Sequence, residues 1–163
     1  MVGVPVYTDV ELRNLRVVRQ FFGEEPGPDD KSLLFAEGGA WWNGLPMIPG
    51  AEGVMEHRGR DAIRNLLPSQ NRGRGLLPGR DTYKLETCRA SEVVTIADGD
   101  WVVRQQNMVA ETKLGQHYAN TYCFVFRFAA DGLIAYLTEH WNTWQAHRVL
   151  MNNFAVQPAR PES

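Results

Sequence analysis

The sequence predicts an α+β fold, in which N-terminal helices pack on an antiparallel sheet. Apolar residues recur at helical spacing in the first part of the chain, strand-forming residues fill the second half, and Asp-Gly turn signals separate the strands. Helices followed by a run of antiparallel strands are typical of α+β proteins rather than of repeated βαβ units.

Length and composition limit the class of protein. The chain has 163 residues, which suits one domain, and 44% of them are hydrophobic, which is enough for a substantial core. A net charge of −2 offers no basic field for nucleic acid. No apolar run reaches the roughly 18 residues that span a bilayer, and the first residues lack a signal-peptide pattern. Cys88 and Cys123 are isolated, as reduced intracellular thiols usually are. We therefore expect a soluble cytoplasmic domain over residues 1–157, with a disordered tail at 158–163 and no nucleic-acid or membrane partner.

The helices are marked by caps and by apolar spacing. Thr8 stands three residues before Glu11, which is the capping-box arrangement, and the apolar residues that follow share one helical face. A second, short helix is expected to be capped by Asp29 or Asp30. A third helix is predicted over RDAIRNLL, before a polar, glycine-rich loop at 68–80.

Strands are predicted from runs of Val, Thr, Tyr and Phe, with a further short strand at AWWNG and a closing helix at NTWQAHRVLMNNF. The predicted ranges are 81–97, 101–112, 117–128 and 133–141. In the third range the even-numbered residues are mostly aromatic, so this face must lie inside. Its first members, Tyr118, Asn120 and Tyr122, carry polar tips that need partners when buried. One end of the sheet is therefore expected to be packed core and the other to be a lined cavity.

Glu139 is the most informative residue of the last strand. By alternation it shares an apolar face with Leu137 and Trp141. Burial disfavours a carboxylate, so we expect the pKa of Glu139 to rise, which would suit proton transfer near neutral pH. The alternative is a structural glutamate bonded to the backbone or to an arginine, and the residues alone leave both possibilities open.

Tryptophans flank the predicted cavity on two segments of the chain, at Trp41, Trp42, Trp141 and Trp144. An indole gives a flat apolar wall with one N–H donor, which suits an aromatic or polycyclic ligand. Ordinary core packing is the alternative for each, and about two of them are expected to reach a ligand. His57 is a further candidate because histidine titrates near neutrality, although it can equally be a loop residue.

Several familiar chemistries lack their motifs. The sequence contains no GxxxxGK[ST] phosphate loop, no dinucleotide-binding GxGxxG after a strand, no HExxH and no GxSxG elbow. We therefore expect no cofactor and no metal, and a catalyst with this sequence would work through acid–base and hydrogen-bonding groups.

The order of a first helix, SLLFAEGGAWWNG, HRGRDAIRNLL and YANTYCFVFRFAADGLIAYLTEHWNT resembles the SnoaL-like and ketosteroid-isomerase-like branch of the nuclear transport factor 2-like superfamily, over residues 8–150. The resemblance implies a cone-shaped α+β barrel, in which N-terminal helices pack on a strongly curved antiparallel sheet that encloses a pocket. It also implies a homodimer. The residues that it places along the cavity wall are Asn120, Tyr122, Phe124, Glu139 and Trp141.

The resemblance also counts against one activity. Asn43 matches the position of the ketosteroid isomerase base, Phe124 matches the position of its oxyanion-hole aspartate, and the tyrosine of its first helix falls near Val17 or Val18. Steroid isomerisation by that mechanism is therefore not expected. Asn142 stands where SnoaL-like proteins more commonly have an aspartate, so the cyclase acid does not carry over directly.

The sequence and the resemblance together favour an enzyme, a cofactor-independent lyase or isomerase of the dehydratase, cyclase or aromatic side-chain lyase type. Its substrate would be a small aromatic or polycyclic molecule. Glu139 is expected to move the proton, while Tyr118 or Tyr122, with Asn120, donates hydrogen bonds to an oxygen that gains charge. The predicted substrate contacts are Tyr118, Trp41, Trp42, Asn43, Phe124, Trp141 and His57. The alternative is a non-catalytic small-molecule-binding protein with the same fold.

Overall fold

A computed structural model of the chain describes residues 6–44, 55–67, 83–146 and 148–149. Within these ranges the helices are α1 (Asp9–Phe21), α2 (Arg60–Leu66) and α3 (Thr143–Ala146), with short 3-10 helices at Lys31–Leu34 and Leu85–Thr87. The strands are β1 (Phe35–Trp42), β2 (Glu56–Arg58), β3 (Arg89–Asp98), β4 (Trp101–Glu111), β5 (His117–Phe128) and β6 (Ile134–Trp141). The architecture is α+β, as predicted. The predicted loop at 68–80, the tail at 158–163 and part of the expected closing helix (147 and 150–154) lie outside the described residues.

The predicted capping box begins α1. The Glu11 backbone N–H donates to Thr8 Oγ1 at 3.3 Å, and the Thr8 N–H donates to Glu11 Oε2 at 2.7 Å. Asp30 caps the first 3-10 helix, where its carboxylate accepts from the Ser32 N–H at 3.0 Å. The apolar face of α1, centred on the fully buried Val18, packs over β3 and β4. Local sequence signals therefore define the starts of these two helices correctly.

The strands form one six-stranded sheet in the order β2-β1-β6-β5-β4-β3. The expected antiparallel sheet is a mixed sheet, because β1 pairs in parallel with β6 while the other neighbours are antiparallel. No hairpin joins β1 to β6, so no turn sets their relative direction. The segment predicted as strand from residue 81 becomes strand only at Arg89; before it, Tyr83 forms one isolated bridge with Thr112.

Strand β5 shows the predicted alternation. The even-numbered residues from Tyr118 to Phe128 are all buried, and the odd-numbered residues between them are partly or fully exposed. Gly99 and Gly132 adopt φ values of +55° and +84° in the predicted Asp-Gly turns, a conformation that glycine adopts without a steric penalty. The first of these turns joins β3 to β4 and the second joins β5 to β6, two antiparallel pairs of neighbours in the sheet.

A buried arginine identifies the inner face of β4, which the sequence left open. Arg104 is 1% exposed, and its guanidinium donates to both carboxylate oxygens of Glu24, at 2.9 Å and 2.5 Å. Its Nε donates to Gln106 Oε1 at 2.7 Å, and its Cζ lies 4.0 Å from the centroid of the Phe22 ring. This bidentate pair lowers the pKa of Glu24 and ties the segment after α1 to the sheet.

No helix within the described ranges is long and apolar enough to cross a membrane. The same residues contain no cluster of three or more His, Cys, Asp or Glu side chains that could hold a metal ion.

Candidate functional site

A cavity of about 420 Å³ lies between the inner face of the sheet, the end of α1 and the end of α2. Its volume is within the usual range for small-molecule sites, roughly 300–1,000 Å³. Its wall is mostly apolar or aromatic, with a few polar groups. The described residues that line it are Phe21, Phe22, Gly23, Lys31, Trp41, Asn43, Leu66, Leu67, Tyr83, Leu85, Cys88, Gln106, Met108, Tyr122, Phe124, Glu139 and Trp141.

Most of the residues predicted from the sequence meet in this cavity. Strand alternation brings the aromatic face of β5 and the Glu139 face of β6 to the same side, because the two strands are antiparallel neighbours with Phe124 opposite Glu139. The predicted residues that line the cavity are Trp41, Asn43, Tyr122, Phe124, Glu139 and Trp141. Their roles toward a ligand stay predictions.

Glu139 is a partly accessible carboxyl group in a mostly apolar environment. The Trp41 indole Nε1 donates to Glu139 Oε2 at 3.1 Å, and no ion pair to Glu139 occurs within the described residues. Burial raises the pKa of Glu139 to about 8, although the Trp41 hydrogen bond acts in the opposite direction. At neutral pH the cavity therefore holds a protonated carboxyl group, which can donate a proton.

Hydroxyl groups of neighbouring tyrosines form a cluster beside Glu139. Tyr118 Oη and Tyr122 Oη are 2.8 Å apart, and the ring centroids of Tyr83 and Tyr118 are separated by 5.4 Å. Burial, the largest cause, raises the pKa of all three phenols, and the nearby Glu139 acts in the same direction. The phenols therefore stay neutral donors, and Tyr83 and Tyr122 lie in the cavity wall.

Asn120 and Tyr118 do not line the cavity, although both were predicted to contact substrate. Asn120 Nδ2 donates to Tyr118 Oη at 2.7 Å and to the Asn142 carbonyl at 3.0 Å, while the Asn142 N–H donates to Asn120 Oδ1 at 3.0 Å. Tyr118 is fully buried. The alternation along β5 correctly predicted that both side chains point inward. The end of β5 that carries them is covered by the segment that follows β6. Asn120 therefore ties β5 to that segment.

Trp42 and Trp144 also lie outside the cavity wall. Trp42 follows Trp41 directly on β1, so the two side chains point to opposite faces, and the Trp42 ring lies 5.2 Å from that of His140. Trp144 is 69% exposed. Two of the four flanking tryptophans, Trp41 and Trp141, therefore reach the cavity.

His57, the remaining predicted contact, is not among the lining residues. It lies on β2 opposite Trp41, and burial lowers the pKa of its imidazole. Its Nε2 is buried and has no hydrogen-bond partner among the described residues. Because β2 is an edge strand beyond β1, His57 is separated from the β5 and β6 walls by the strand that carries Trp41.

Sequence reasoning missed several lining residues. Gln106 and Met108 follow Arg104 on the inner face of β4, and their positions opposite Tyr122 and Asn120 could have been found by aligning β4 against β5 through the turn. Lys31 begins a four-residue 3-10 helix and Tyr83 forms an isolated bridge, and segments this short have no periodicity that indicates a face. No signal in the sequence pointed to them.

The stability of the fold is expected to depend on the Glu139 proton. Its pKa is 4.5 in the unfolded chain and about 8 in the fold, so folding takes up a proton between these values. The stabilisation of the fold by this protonated carboxyl group is complete below pH 4.5 and is lost as the pH rises through about 8. The free energy of unfolding should fall by up to about 1.4 kcal/mol per pH unit in this window.

Urea denaturation of the wild type and of Glu139→Gln between about pH 5 and pH 9 measures this contribution. The free energy of unfolding of the wild type should fall relative to that of Glu139→Gln as the pH rises toward about 8. Glu37→Gln, which removes an exposed carboxylate from β1, is the matched control and should follow the wild type. Parallel curves for the wild type and Glu139→Gln would contradict the raised pKa.

Solved structures of low sequence identity have the same fold. A nuclear transport factor 2-like protein from Burkholderia xenovorans LB400 has a TM-score of 0.61 at 16% identity, covering 86% of this chain and 97% of that one. A protein from Jannaschia sp. CCS1 assigned as a SnoaL-like polyketide cyclase has a TM-score of 0.65 at 13% identity, covering 90% and 97%. TerC, co-crystallised with polyporic acid, has a TM-score of 0.61 at 15% identity, covering 85% and 98%.

These likenesses define the class of structure. The chain has the cone-shaped α+β fold of nuclear transport factor 2-like proteins, which confirms the predicted resemblance at the level of fold. No protein-family model and no curated protein sequence matches the chain. This fold carries many unrelated activities, so the function of the protein depends on the residues of the cavity and not on the fold alone.

Proposed function

We propose that the protein binds a small aromatic or polycyclic molecule in the cavity and acts on it as a cofactor-independent lyase or isomerase. The observation that carries the proposal is the carboxyl group of Glu139, which is protonated at neutral pH inside a mostly apolar cavity beside neutral tyrosine hydroxyls. Groups with shifted pKa values in a cavity are typical of acid–base catalysts. Glu139 would act as the general acid at neutral pH.

The aromatic wall favours a planar ligand. The rings of Tyr122 and Phe124 are stacked at 5.6 Å with an interplanar angle of 5°, and those of Tyr122 and Trp141 at 5.7 Å with 20°. The Trp141 Nε1 donates to the Asn43 carbonyl at 2.9 Å, and the Trp41 Nε1 donates to the Glu139 carboxyl group at 3.1 Å. Both indoles therefore have their N–H groups occupied, which leaves their apolar surfaces for contact with a ring system.

The proposed reaction needs only side chains of this chain. Glu139 would donate its proton to a leaving or carbonyl oxygen of the substrate, and the Tyr122 hydroxyl would donate a hydrogen bond to an oxygen that gains negative charge. The resulting Glu139 carboxylate would then take a proton from a carbon of the same substrate, and the electron pair of the broken C–H bond would form the new double bond. Closing the cycle in this way makes elimination or isomerisation the reaction type that the groups support.

A relative of the same fold supports the ligand class. TerC was crystallised with polyporic acid, although it is only 15% identical to this chain. We therefore expect this cavity also to accept a small organic molecule.

A non-catalytic binding protein is the second candidate, favoured by the hydrogen bond that holds Glu139 against Trp41. Thermal-shift screening against aromatic and polycyclic compounds, followed by incubation and mass spectrometry of each hit, separates the two. A ligand that favours the folded state raises the Tm by mass action. A hit that changes in mass or retention supports an enzyme. Hits that are all recovered unchanged support the binding protein, and the absence of any hit contradicts both.

The predicted homodimer stays a proposal, supported by the outer face of the sheet. Val94 and Ile96 on β3 are 54% and 58% exposed, and Val103 on β4 lies opposite Ile96 in the register. An exposed apolar sheet face is typical of an interaction surface. We expect a dimer by light scattering and dissociation in Ile96→Lys, while Leu114→Lys in the β4–β5 turn leaves the dimer intact. A monomeric wild type would contradict this.

A further inference from the structure

Lys31 places a cation at the cavity. It is the first residue of the 3-10 helix Lys31–Leu34, and its side chain lines the cavity beside the end of α1. Its Nζ donates to the Gln20 carbonyl oxygen in the last turn of α1 at 2.8 Å. An ammonium group has three donors, so this contact leaves two of them for other partners.

The charge of Lys31 is not neutralised within the part of the chain that the structure describes. The neighbouring cations have carboxylate partners there: Arg104 pairs with Glu24, Arg64 with Asp30, and Lys84 with Glu111. No carboxylate forms such a pair with Lys31, even though Asp30 precedes it in sequence. Asp30 is instead directed to Arg64 and to Ser32.

Glu139 does not supply the missing negative charge. It is the one carboxyl group among the described lining residues, and no ion pair joins it to Lys31. It is protonated at neutral pH because of its burial. With the tyrosines neutral as well, the described wall of the cavity has a positive charge at neutral pH.

We propose that the molecule bound in this cavity carries an anionic group, a carboxylate or an acidic hydroxyl, which pairs with Lys31 while its ring system lies against the aromatic wall. The inference rests on the proposed small-molecule site but not on catalysis. A neutral ligand that filled the cavity would remove water from the ammonium group without replacing its hydrogen bonds, which is unfavourable. An anion accepts hydrogen bonds from the two remaining N–H donors of Lys31. Such a charge-assisted hydrogen bond is about twice as strong as a neutral one.

The protonation of Glu139 fits this assignment. An ionised glutamate in the same cavity would repel an anionic ligand, whereas a neutral carboxyl group does not. The cavity thus combines a cation that selects the charge of the ligand with a neutral acid that can react with it. Together they define the substrate class as aromatic or polycyclic acids.

Capping the last turn of α1 is the other role open to Lys31, since a lysine near a helix C-terminus stabilises the free carbonyl groups. That role uses the Gln20 contact alone and does not depend on the charge of a ligand. Matched acid and amide probes therefore distinguish the two roles. Trp41 and Trp141 in the cavity wall supply a fluorescence signal for binding.

The probes are the carboxylates and the corresponding primary carboxamides of naphthalene and anthracene, titrated at neutral pH. The wild type should bind each acid about tenfold or more tightly than its amide. Lys31→Met, which keeps the apolar stem, should lose this preference while its affinity for the amide stays unchanged. Lys31→Arg should retain the preference, and the amide affinity reports whether each variant has an intact cavity.

A preference for the acid that survives in Lys31→Met would overturn the pairing. So would equal binding of acid and amide by the wild type, a result that leaves the small-molecule site standing. If no probe of either kind binds the wild type, the proposed function fails together with this inference.

Discussion

Glu139→Gln is expected to lower turnover by about 10²–10⁴-fold, the usual contribution of a general acid. Glutamine has nearly the same shape and keeps an oxygen that accepts from Trp41 Nε1, so the fold and the cavity wall should be preserved. It cannot transfer the proton. The measurement is kcat on a compound that the wild type converts, with Glu37→Gln as the control for the loss of an exposed carboxylate.

The pH dependence of wild-type activity shows whether Glu139 acts as a general acid or as a general base. The pKa of Glu139 is about 8, so the proton donor is present below this value and lost above it. Activity should therefore fall as the pH rises through about 8. A rise in activity through that pH would make Glu139 the general base, and normal turnover by Glu139→Gln would remove it from the mechanism.

Tyr122→Phe has the second largest expected effect, a loss of about 10²–10³-fold in kcat. Tyr122 lies in the cavity wall, and its hydroxyl is proposed to donate to a substrate oxygen that gains charge. The phenyl ring of phenylalanine keeps the stacking on Phe124 and Trp141. Stability should change little beyond the loss of one buried hydrogen bond, about 1 kcal/mol.

Tyr118→Phe is the matched control, because Tyr118 is fully buried and does not line the cavity. It loses the 2.8 Å contact to Tyr122 Oη and the 2.7 Å contact from Asn120 Nδ2. We expect a loss of stability of about 1–3 kcal/mol, since an amide donor loses a partner, with a smaller effect on kcat than in Tyr122→Phe. Equal losses of kcat in the two variants would show that no single hydroxyl in the cluster has the proposed role.

The sequence predicted those parts of the fold that depend on local patterns. The capping box at Thr8 and Glu11, the Asp-Gly turns and the alternation along β5 each involve residues close in sequence, and each is present in the structure. The parallel pairing of β1 with β6 joins strands that are distant in the chain, and no local pattern specifies its direction. Strand β2 has three residues, which is too short for a period to be recognised.

The candidate site was predictable to the extent that it follows from strand alternation. Alternation grouped Glu139 with Trp141 and Tyr122 with Phe124, and these four side chains line the cavity. It also separates Trp41 from Trp42, which the expectation based on tryptophan content overlooked. Lys31 was missed because a short helix brings a long side chain to the cavity, and such contacts depend on tertiary structure.

Titration of the Glu139 carboxyl carbon by NMR, with the assignment made by comparison with Glu139→Gln, tests most directly whether the cavity holds a proton donor at neutral pH. The structure predicts a midpoint near 8, well above the ordinary value of 4.5. A midpoint close to 4.5 would mean that the carboxyl group is ionised at neutral pH. That result would contradict its role as a general acid, and it would place a negative charge beside the anionic ligand proposed to pair with Lys31.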